Sequence, residues 1–285
     1  MTRALLGVVC VLLAVPPQAP VRTARPTFAD YPVADIFRGT PAPVSMATAE
    51  ARRFRTQLRQ QAATGANFAG HYRLAVWGCG STCTVGAIVD SRTGEVWFPG
   101  IQSYETGGDG RVVLTHGASF QLDSDLLILD GYINEKYKGR AFYRWHNNRL
   151  TLLRVDEYTD QQLVLNGEIM RAMMKWQSKT PEAYEFTLTL SGSFPTMITP
   201  PTFRVRDQRS TSLRPIDRSP EIYDKYDSID MLIGLLFDEA ADVPISMTAT
   251  FDSTWGYPAS GEIVRASLPG DRIAFRITGF TPIAK

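Results

Sequence analysis

Cysteine is scarce in this chain, with 3 residues among 285. Cys10 lies inside an apolar N-terminal run, so Cys79 and Cys83 are the pair that a processed chain would keep. A disulfide between them closes a loop of only five residues. In the chain-entropy model, such a bridge stabilises the folded state by about 2 kcal/mol. Such a bridge fixes one turn and its register, and it does not hold a whole fold together.

An excess of charge of either sign is also absent, because 30 Lys and Arg residues stand against 29 Asp and Glu residues. The resulting net charge of +1 gives no electrostatic footprint for nucleic acid or for an anionic membrane surface. We therefore predict no nucleic-acid partner. The hydrophobic fraction of 44% is typical of a folded protein with a sizeable core.

Recognisable catalytic motifs are missing as well. The chain has no Gly-x-Ser-x-Gly elbow, no His-Glu-x-x-His zinc motif and no phosphate-binding glycine loop. Gly107–Gly110 lacks the Lys and Ser or Thr of a phosphate loop, and Asp123–Asp125 lacks the glycine and the final glutamate of a calcium loop. The sequence thus predicts no cofactor and favours a non-catalytic protein, while enzymatic activity stays open.

The N-terminus has the pattern of a secretion signal. Met1–Arg3 is positive, Ala4–Val15 is apolar, and Pro16–Ala19 ends the run. A bilayer-spanning helix needs about 20 apolar residues, so this shorter run indicates a cleaved signal peptide over residues 1–24 whose cleavage point the sequence leaves open. We expect an exported protein, periplasmic or secreted, with no transmembrane anchor after cleavage.

The next segments predict a first α+β domain. Residues 25–46 form a Pro-rich arm, either a tether or loosely docked. Apolar residues at three- and four-residue steps over 47–62 predict a helix, capped by Thr48 and followed by Gly65. Alternating segments between His71 and Val155, separated by short turns, predict antiparallel strands. We assign residues 47–155 to this domain.

A second unit follows a polar stretch. We predict a linker over 156–166 and a C-terminal domain over 167–285. Its pattern is helix, two strands, helix and three strands, and no helix links every successive strand as a parallel sheet requires. The fold class is therefore α+β, with two units that each have a mainly antiparallel β-sheet and one or two packed helices.

Three interpretations of the cysteine pair remain open. If Gly80–Thr82 is a three-residue hairpin loop, Cys79 and Cys83 face each other and form a structural disulfide, the usual state in an oxidising compartment. Alternatively, the two thiols and a histidine such as His71 hold copper. In the third interpretation one cysteine is a nucleophile assisted by His71 or His116.

Other residues suggest surfaces rather than chemistry. His116 and His146 are most simply a strand-end and a turn histidine. Aromatic side chains near the cysteines and near Pro99 are candidates for a binding surface, since exposed aromatics are enriched at interfaces. These candidate binding residues are Trp77, Trp97 and Tyr104.

The N-terminal half resembles a family of small exported proteobacterial proteins of unknown function. The resemblance rests on Asn67–Tyr72, on the Trp77-Gly-Cys-Gly-x-x-Cys83 motif and on Ile88–Asp90 with Thr93-Gly94, and it covers roughly residues 28–155. It implies export and a paired Cys79 and Cys83, and no activity.

The C-terminal half resembles a second bacterial family of unknown function, found in secreted proteins and lipoproteins. The matching residues lie between about 166 and 280 and include Trp176, Ser228–Asp230 and the turn Gly256-Tyr257-Pro258. Members usually carry cysteines after the first strand, where this chain has Ser191–Phe194. Any role of those cysteines is therefore absent here.

The sequence supports two main functional hypotheses. The first is a non-catalytic envelope protein that binds a protein, a peptide or an envelope component. The second is a periplasmic copper or thiol-redox protein that uses Cys79, Cys83 and a histidine. A hydrolase would require His71 or His116 to meet a carboxylate and a nucleophile in one pocket.

Overall fold

The computed structural model describes residues 24–193, 199–214, 216, 223, 225–265 and 270–283. The described chain forms two antiparallel sheets with a few helices. The predicted α+β class with two units is confirmed. The signal peptide falls almost wholly outside the described residues. No helix in the described part of the chain is long and apolar enough to span a membrane.

The N-terminal unit has seven strands on one sheet, in the order β1-β2-β3-β5-β6-β7, with β4 paired to β5. Two short helices and a 3-10 turn at Phe28–Asp30 accompany it. The elements are α1 Ala49–Arg53, α2 Arg55–Ala62, β1 Tyr72–Gly80, β2 Cys83–Asp90, β3 Val96–Tyr104, β4 Ala118–Phe120, β5 Leu126–Ile133, β6 Tyr137–His146 and β7 Arg149–Glu157.

The predicted helix over 47–62 is present but broken at Phe54. Thr48 caps α1 as predicted, since its side chain accepts a hydrogen bond from the Ala51 N–H. Phe54 leaves helical geometry (φ −102°, ψ 23°), and its ring packs 5.1 Å from that of Trp77. The apolar periodicity of the sequence continues across Phe54, so it does not indicate that the helix is broken there.

The turn between β1 and β2 differs from the predicted three-residue loop. Gly80 pairs with Cys83, so only Ser81 and Thr82 form the turn, and Thr82 takes a positive φ of 61°. A bulge between Gly78 and Gly80 absorbs the extra residue. Strand register depends on this bulge, which residue spacing alone does not specify.

The Pro-rich arm follows the N-terminal unit closely in the structure. Val33, Phe37 and Ala42 donate backbone hydrogen bonds to carbonyls of the body, at Asp123, Gly70 and Ser91. These bonds are spaced along the arm, and the arm therefore is docked along its length rather than held at one point.

Within its described residues, the C-terminal unit packs two helices on a six-stranded sheet in the order β10-β9-β8-β13-β12-β11. Its buried core includes Trp176 and Tyr184, whose rings meet edge to face at 5.2 Å. The elements are α3 Asp160–Lys179, β8 Ala183–Gly192, β9 Thr202–Arg206, β10 Arg209–Ser212, α4 Ile229–Ala241, β11 Ser246–Phe251, β12 Pro258–Val264 and β13 Arg272–Ile283.

The segment 156–166, predicted as a linker, is mostly structured. β7 extends to Glu157 and α3 begins at Asp160, so only Tyr158 and Thr159 lie between them. Thr159 and Gln162 form a reciprocal capping box that starts the helix. The first two turns of α3 contain several polar residues, which conceal the helix in the sequence pattern.

The two units meet at the C-terminal end of α4. Arg140 binds the fully buried Asp130 through two bonds of 2.6 and 3.0 Å, and it also contacts Asp242 of the second unit at 2.5 Å. Arg25 donates to the backbone carbonyls of Asp242 and Val243. These cations complement the negative end of the α4 dipole.

Candidate functional site

Helix α3 has one face in the core and one flank beside the sheet edge. Leu165, Ile169 and Trp176 belong to the buried core of the C-terminal unit. The neighbouring flank repeats at three- and four-residue steps, which is the spacing of one helix face. Its members are Gln161, Val164, Glu168, Arg171 and Lys175, and all of them line a groove.

Strand β11 forms the other wall, and it is an edge strand. Among the described strands it pairs only with β12, so none of them lies beside its outer backbone N–H and C=O groups. No hydrogen bond from any described residue reaches that outer edge. Met247 is buried and Ala249 half-buried, whereas Thr248 and Thr250 are exposed. The strand therefore presents an apolar side to the helix layer and a free backbone edge.

The groove between α3 and β11 is long and shallow. It consists of two cavities of about 530 and 540 Å³ that share Glu168 and Ala249. From Asp160 to Lys175 the helix wall extends about 22 Å. From Met247 to Ser253 the strand wall extends about 20 Å. The two walls thus match in length, and each is long enough for about six residues of an extended chain.

The turn that follows β11 closes one end of the groove. Lys175 and Lys179 donate to the carbonyls of Ser253 and Thr254, at 3.0 Å each. Gly256 has a φ of 85°, and a Cβ at this position would lie 2.7 Å from the carbonyl oxygen of Ala172. The predicted turn at Gly256-Tyr257-Pro258 therefore needs glycine for two reasons, its backbone conformation and its contact with α3.

Charges of both signs line the groove. Asp160, at the end away from the turn that follows β11, is already bound to Arg111, and the nearby Gln162 side chain donates to the carbonyl of Pro244, just before β11. Asp252 accepts the N–H groups of Thr254 and Trp255 on one oxygen. Glu168 and Arg171 make no hydrogen bond or ion pair with any described residue. These two side chains are thus available to a ligand.

Edge strand β1 shows what a closed sheet edge looks like in the same molecule. The amide of Asn67 donates to the carbonyl of Leu74 and accepts from its N–H. The amide of Gln61 does the same for Val76. Side chains therefore occupy backbone groups of β1 that a further strand would use, whereas no described side chain covers the outer edge of β11 in this way.

The structure pairs Cys79 with Cys83 and separates both from His71. The two Cα atoms lie 5.2 Å apart and the residues form a disulfide. His71 precedes the first residue of β1 and Cys79 lies near its end, which is about 25 Å of extended chain. The residues considered for a copper or thiol site are thus not brought together around His71.

His71 lies instead beside the docked arm. Its ring packs 4.1 Å from that of Tyr72, and its Nε2 is 3.9 Å from a carboxylate oxygen of Asp90. Burial lowers the pKa of His71, and the nearby Asp90 opposes that effect. Arg92, which is bound to Asp35 of the arm at 2.7 Å, lowers the same pKa further.

The predicted aromatic candidates lie on the N-terminal unit, apart from the groove. Trp77 packs against α1 and α2 through Phe54. Trp97 belongs to an edge-to-face group with Tyr72 and Trp145. Tyr104 donates a hydrogen bond to Glu135 at 3.0 Å. All three are half-buried, and each takes part in packing or hydrogen bonding within the unit.

The remaining two histidines are exposed and have different surroundings. His116 faces Phe237 of α4, with ring centres 6.2 Å apart. His146 ends β6, and its Nδ1 lies 3.9 Å from a carboxylate oxygen of Asp125, which directly precedes β5. Among the described residues no group of three or more His, Cys, Asp or Glu side chains is placed to hold a metal ion.

Sequence patterns did not single out the groove residues. The alternation of Met247, Ala249 and Phe251 predicts a strand, and the spacing of Ile169 and Trp176 predicts a helix. Neither pattern tells which strand ends at the sheet edge, because that depends on the pairing of distant segments. Glu168 and Arg171 resemble ordinary solvated helix residues.

In the comparison with known proteins, a family model matches the C-terminal region of the chain. Residues 168–282 match the model of a family described as a family of unknown function, DUF6174. This region contains most of the groove, and the match supports the resemblance predicted for that half. No curated protein and no solved structure matches the chain. The resemblance of the N-terminal half stays a prediction.

Proposed function

We propose that this chain is an exported, non-catalytic protein of the bacterial cell envelope that binds an extended segment of another protein along β11. The observation that carries the proposal is the open backbone edge of β11 beside the α3 groove. An extended peptide that adds to such an edge gains main-chain hydrogen bonds, and pockets beside the edge select alternate side chains.

The apolar part of the groove supports a peptide rather than a small polar ligand. Val164 on the helix wall is 57% exposed, and Met247 on the facing strand wall is buried beside it in the same cavity. An apolar ligand side chain placed between them would cover both. Its neighbours along the peptide would point away from the groove, since successive side chains of a strand alternate.

Two observations on the sequence support export. The N-terminal run Ala4–Val15 is typical of a signal peptide. A disulfide between Cys79 and Cys83 persists in an oxidising compartment and is rare in the cytosol. N-terminal sequencing of the protein from a native envelope extract tests this part, and an intact Met1 in the purified protein contradicts it.

Affinity selection tests the peptide proposal. Random decapeptides with unmodified ends are mixed with the purified protein, and retained peptides are identified by mass spectrometry. Binding of a selected peptide is then measured for Val164→Glu and Met174→Glu. Both residues are exposed and apolar and lie on α3, but of the two only Val164 lines the groove.

We expect Val164→Glu to weaken binding about tenfold or more, because a buried valine contact is worth about 1.5 kcal/mol. Met174→Glu should leave binding unchanged. Equal effects of the two substitutions would contradict the proposed site. A stable dimer that occupies β11 in the absence of peptide would also contradict the proposed site. Light scattering detects such a dimer, and peptide binding would be lost as it forms.

A further inference from the structure

The helix wall of the groove changes charge along its length. Glu168 is followed one turn later by Arg171 and two turns later by Lys175, and both cations are exposed. The acidic residue at the first turn of α3, Asp160, is bound to Arg111. The positive charges of α3 therefore concentrate toward the turn Asp252–Gly256.

That positive end is also the closed end. The backbone of Gly256 touches the carbonyl of Ala172, and Lys175 binds the carbonyl of Ser253. A chain that extends along β11 in a straight line meets this turn and cannot pass through it. The last residue of the bound segment is therefore expected at the turn.

The groups at the closed end favour one kind of chain end. Lys175 uses one of its three N–H donors on Ser253. Arg171 has no partner among the described residues; its guanidinium lies back over Gly167, 3.3 Å from where a Cβ would be, and a change of side-chain rotamer is needed to bring it toward the turn. Two acidic side chains line the cavity at this end: Asp252, one of whose oxygens is occupied by its own turn, and Glu168, which lies about two helical turns before Lys175 and so farther from the turn.

We propose that the bound segment ends at this turn with a free C-terminal carboxylate held by Arg171 and Lys175, and so runs parallel to β11. This inference rests on the proposed function. Charge-assisted hydrogen bonds from guanidinium and ammonium groups to a carboxylate are among the stronger ones in proteins. In the opposite orientation a positively charged amino terminus would meet the same two cations.

End-modified peptides test the orientation. One peptide from the affinity selection is synthesised in three forms, with both ends free, with a C-terminal amide and with an N-terminal acetyl group. We expect the amide to weaken binding about tenfold, which is the typical weight of a hydrogen bond to a charged group. The acetyl group should have no effect.

Substitutions locate the carboxylate. Arg171→Gln and Lys175→Gln should each weaken binding of the free-acid peptide severalfold and leave binding of the amide form unchanged. Arg276→Gln is the control, because Arg276 is exposed on β13 and does not line the groove. It should affect neither form.

The outcomes separate this inference from the proposed function. Equal binding of acid and amide overturns the carboxylate inference, while strand addition stands. Loss of binding on acetylation, with no effect of the amide, shows the opposite orientation and also overturns it. Failure to retain any decapeptide overturns the proposed function itself.

Discussion

At the scale of single residues, Cys79 and Cys83 determine how firmly the β1–β2 turn is held. The disulfide closes a very short loop, so it removes little entropy from the unfolded chain. We expect the double substitution Cys79→Ser with Cys83→Ser to lower the free energy of unfolding by about 2 kcal/mol, measured by urea denaturation.

The wild-type protein provides the control, because thiol titration shows whether the disulfide is formed. Thiol titration of the denatured, unreduced wild-type protein should find no free thiol at these two positions. Two free thiols in protein purified from the periplasm would contradict the disulfide. Peptide binding should be unchanged in the double variant, since the turn lies in the other unit.

His71 makes stability depend on pH. Burial keeps the folded-state pKa of His71 below its ordinary value, so the unfolded chain takes up the proton first as the pH falls. The contribution of neutral His71 is therefore complete above about pH 6.5 and declines as the pH falls below that value. Urea denaturation between pH 8 and pH 5 measures the decline.

His71→Gln is the matching variant, because glutamine has hydrogen-bonding groups but does not titrate in this range. Its stability should change less between pH 7 and pH 5 than that of the wild type. His116 and His146 are exposed and remain in both proteins. An identical pH dependence of the two proteins would contradict this account of His71.

At the scale of elements, the turn that closes the groove depends on Gly256. Alanine at a positive φ costs about 1–2 kcal/mol, and at Gly256 the added Cβ would also press on the Ala172 carbonyl. Gly100 has a similar φ of 80° but no atom within 4 Å of the added Cβ. Gly256→Ala should therefore destabilise the protein more than Gly100→Ala.

The difference in unfolding free energy between the two glycine variants gives the cost of the close contact between the turn and α3. Thermal or urea unfolding of both variants measures it. We also expect Gly256→Ala to weaken peptide binding, because α3 and β11 must move apart to admit the methyl group. Equal destabilisation by the two substitutions would show that the contact with α3 is unimportant.

Elements with strong local patterns were predictable from the sequence, and their arrangement was not. In the sequence, the alternation of Tyr184, Phe186 and Leu188 predicts a strand, and the apolar face of Ile229–Ala240 predicts a helix; the structure has both, as β8 and α4. β10 was missed because Arg209–Ser212 is short and polar. The edge position of β11 follows from pairing between distant segments, which periodicity does not encode.

At the scale of the whole molecule, half-buried Arg140 links the two units. Removing it leaves the fully buried carboxyl group of Asp130 without its ion-pair partner, and breaking a buried ion pair typically costs about 3–5 kcal/mol. We expect Arg140→Met to destabilise the protein by about that amount. Asp242→Asn should cost much less, since the Asp242 side chain is 52% exposed. Calorimetry measures both variants.

Asp242→Asn also tests whether the units unfold together. Tyr158 donates to Leu114 of the first unit and lies 3.4 Å from a carbonyl of α4, and burial raises its pKa. Because Tyr158 remains an uncharged donor at neutral pH, the joint keeps contacts besides the ion pair. One unfolding transition is expected for the wild type and for Asp242→Asn. Two separate transitions in the wild type would contradict this linkage.

The central claim is that a bound segment adds to β11, and hydrogen–deuterium exchange with a selected peptide tests it most directly. Strand addition fills the open backbone edge, so amides within Ser246–Phe251 should exchange more slowly in the complex. Amides of β10, the opposite edge of the same sheet, should keep their rates. Unchanged exchange in β11, with new protection at β10 or at β7, would contradict the account.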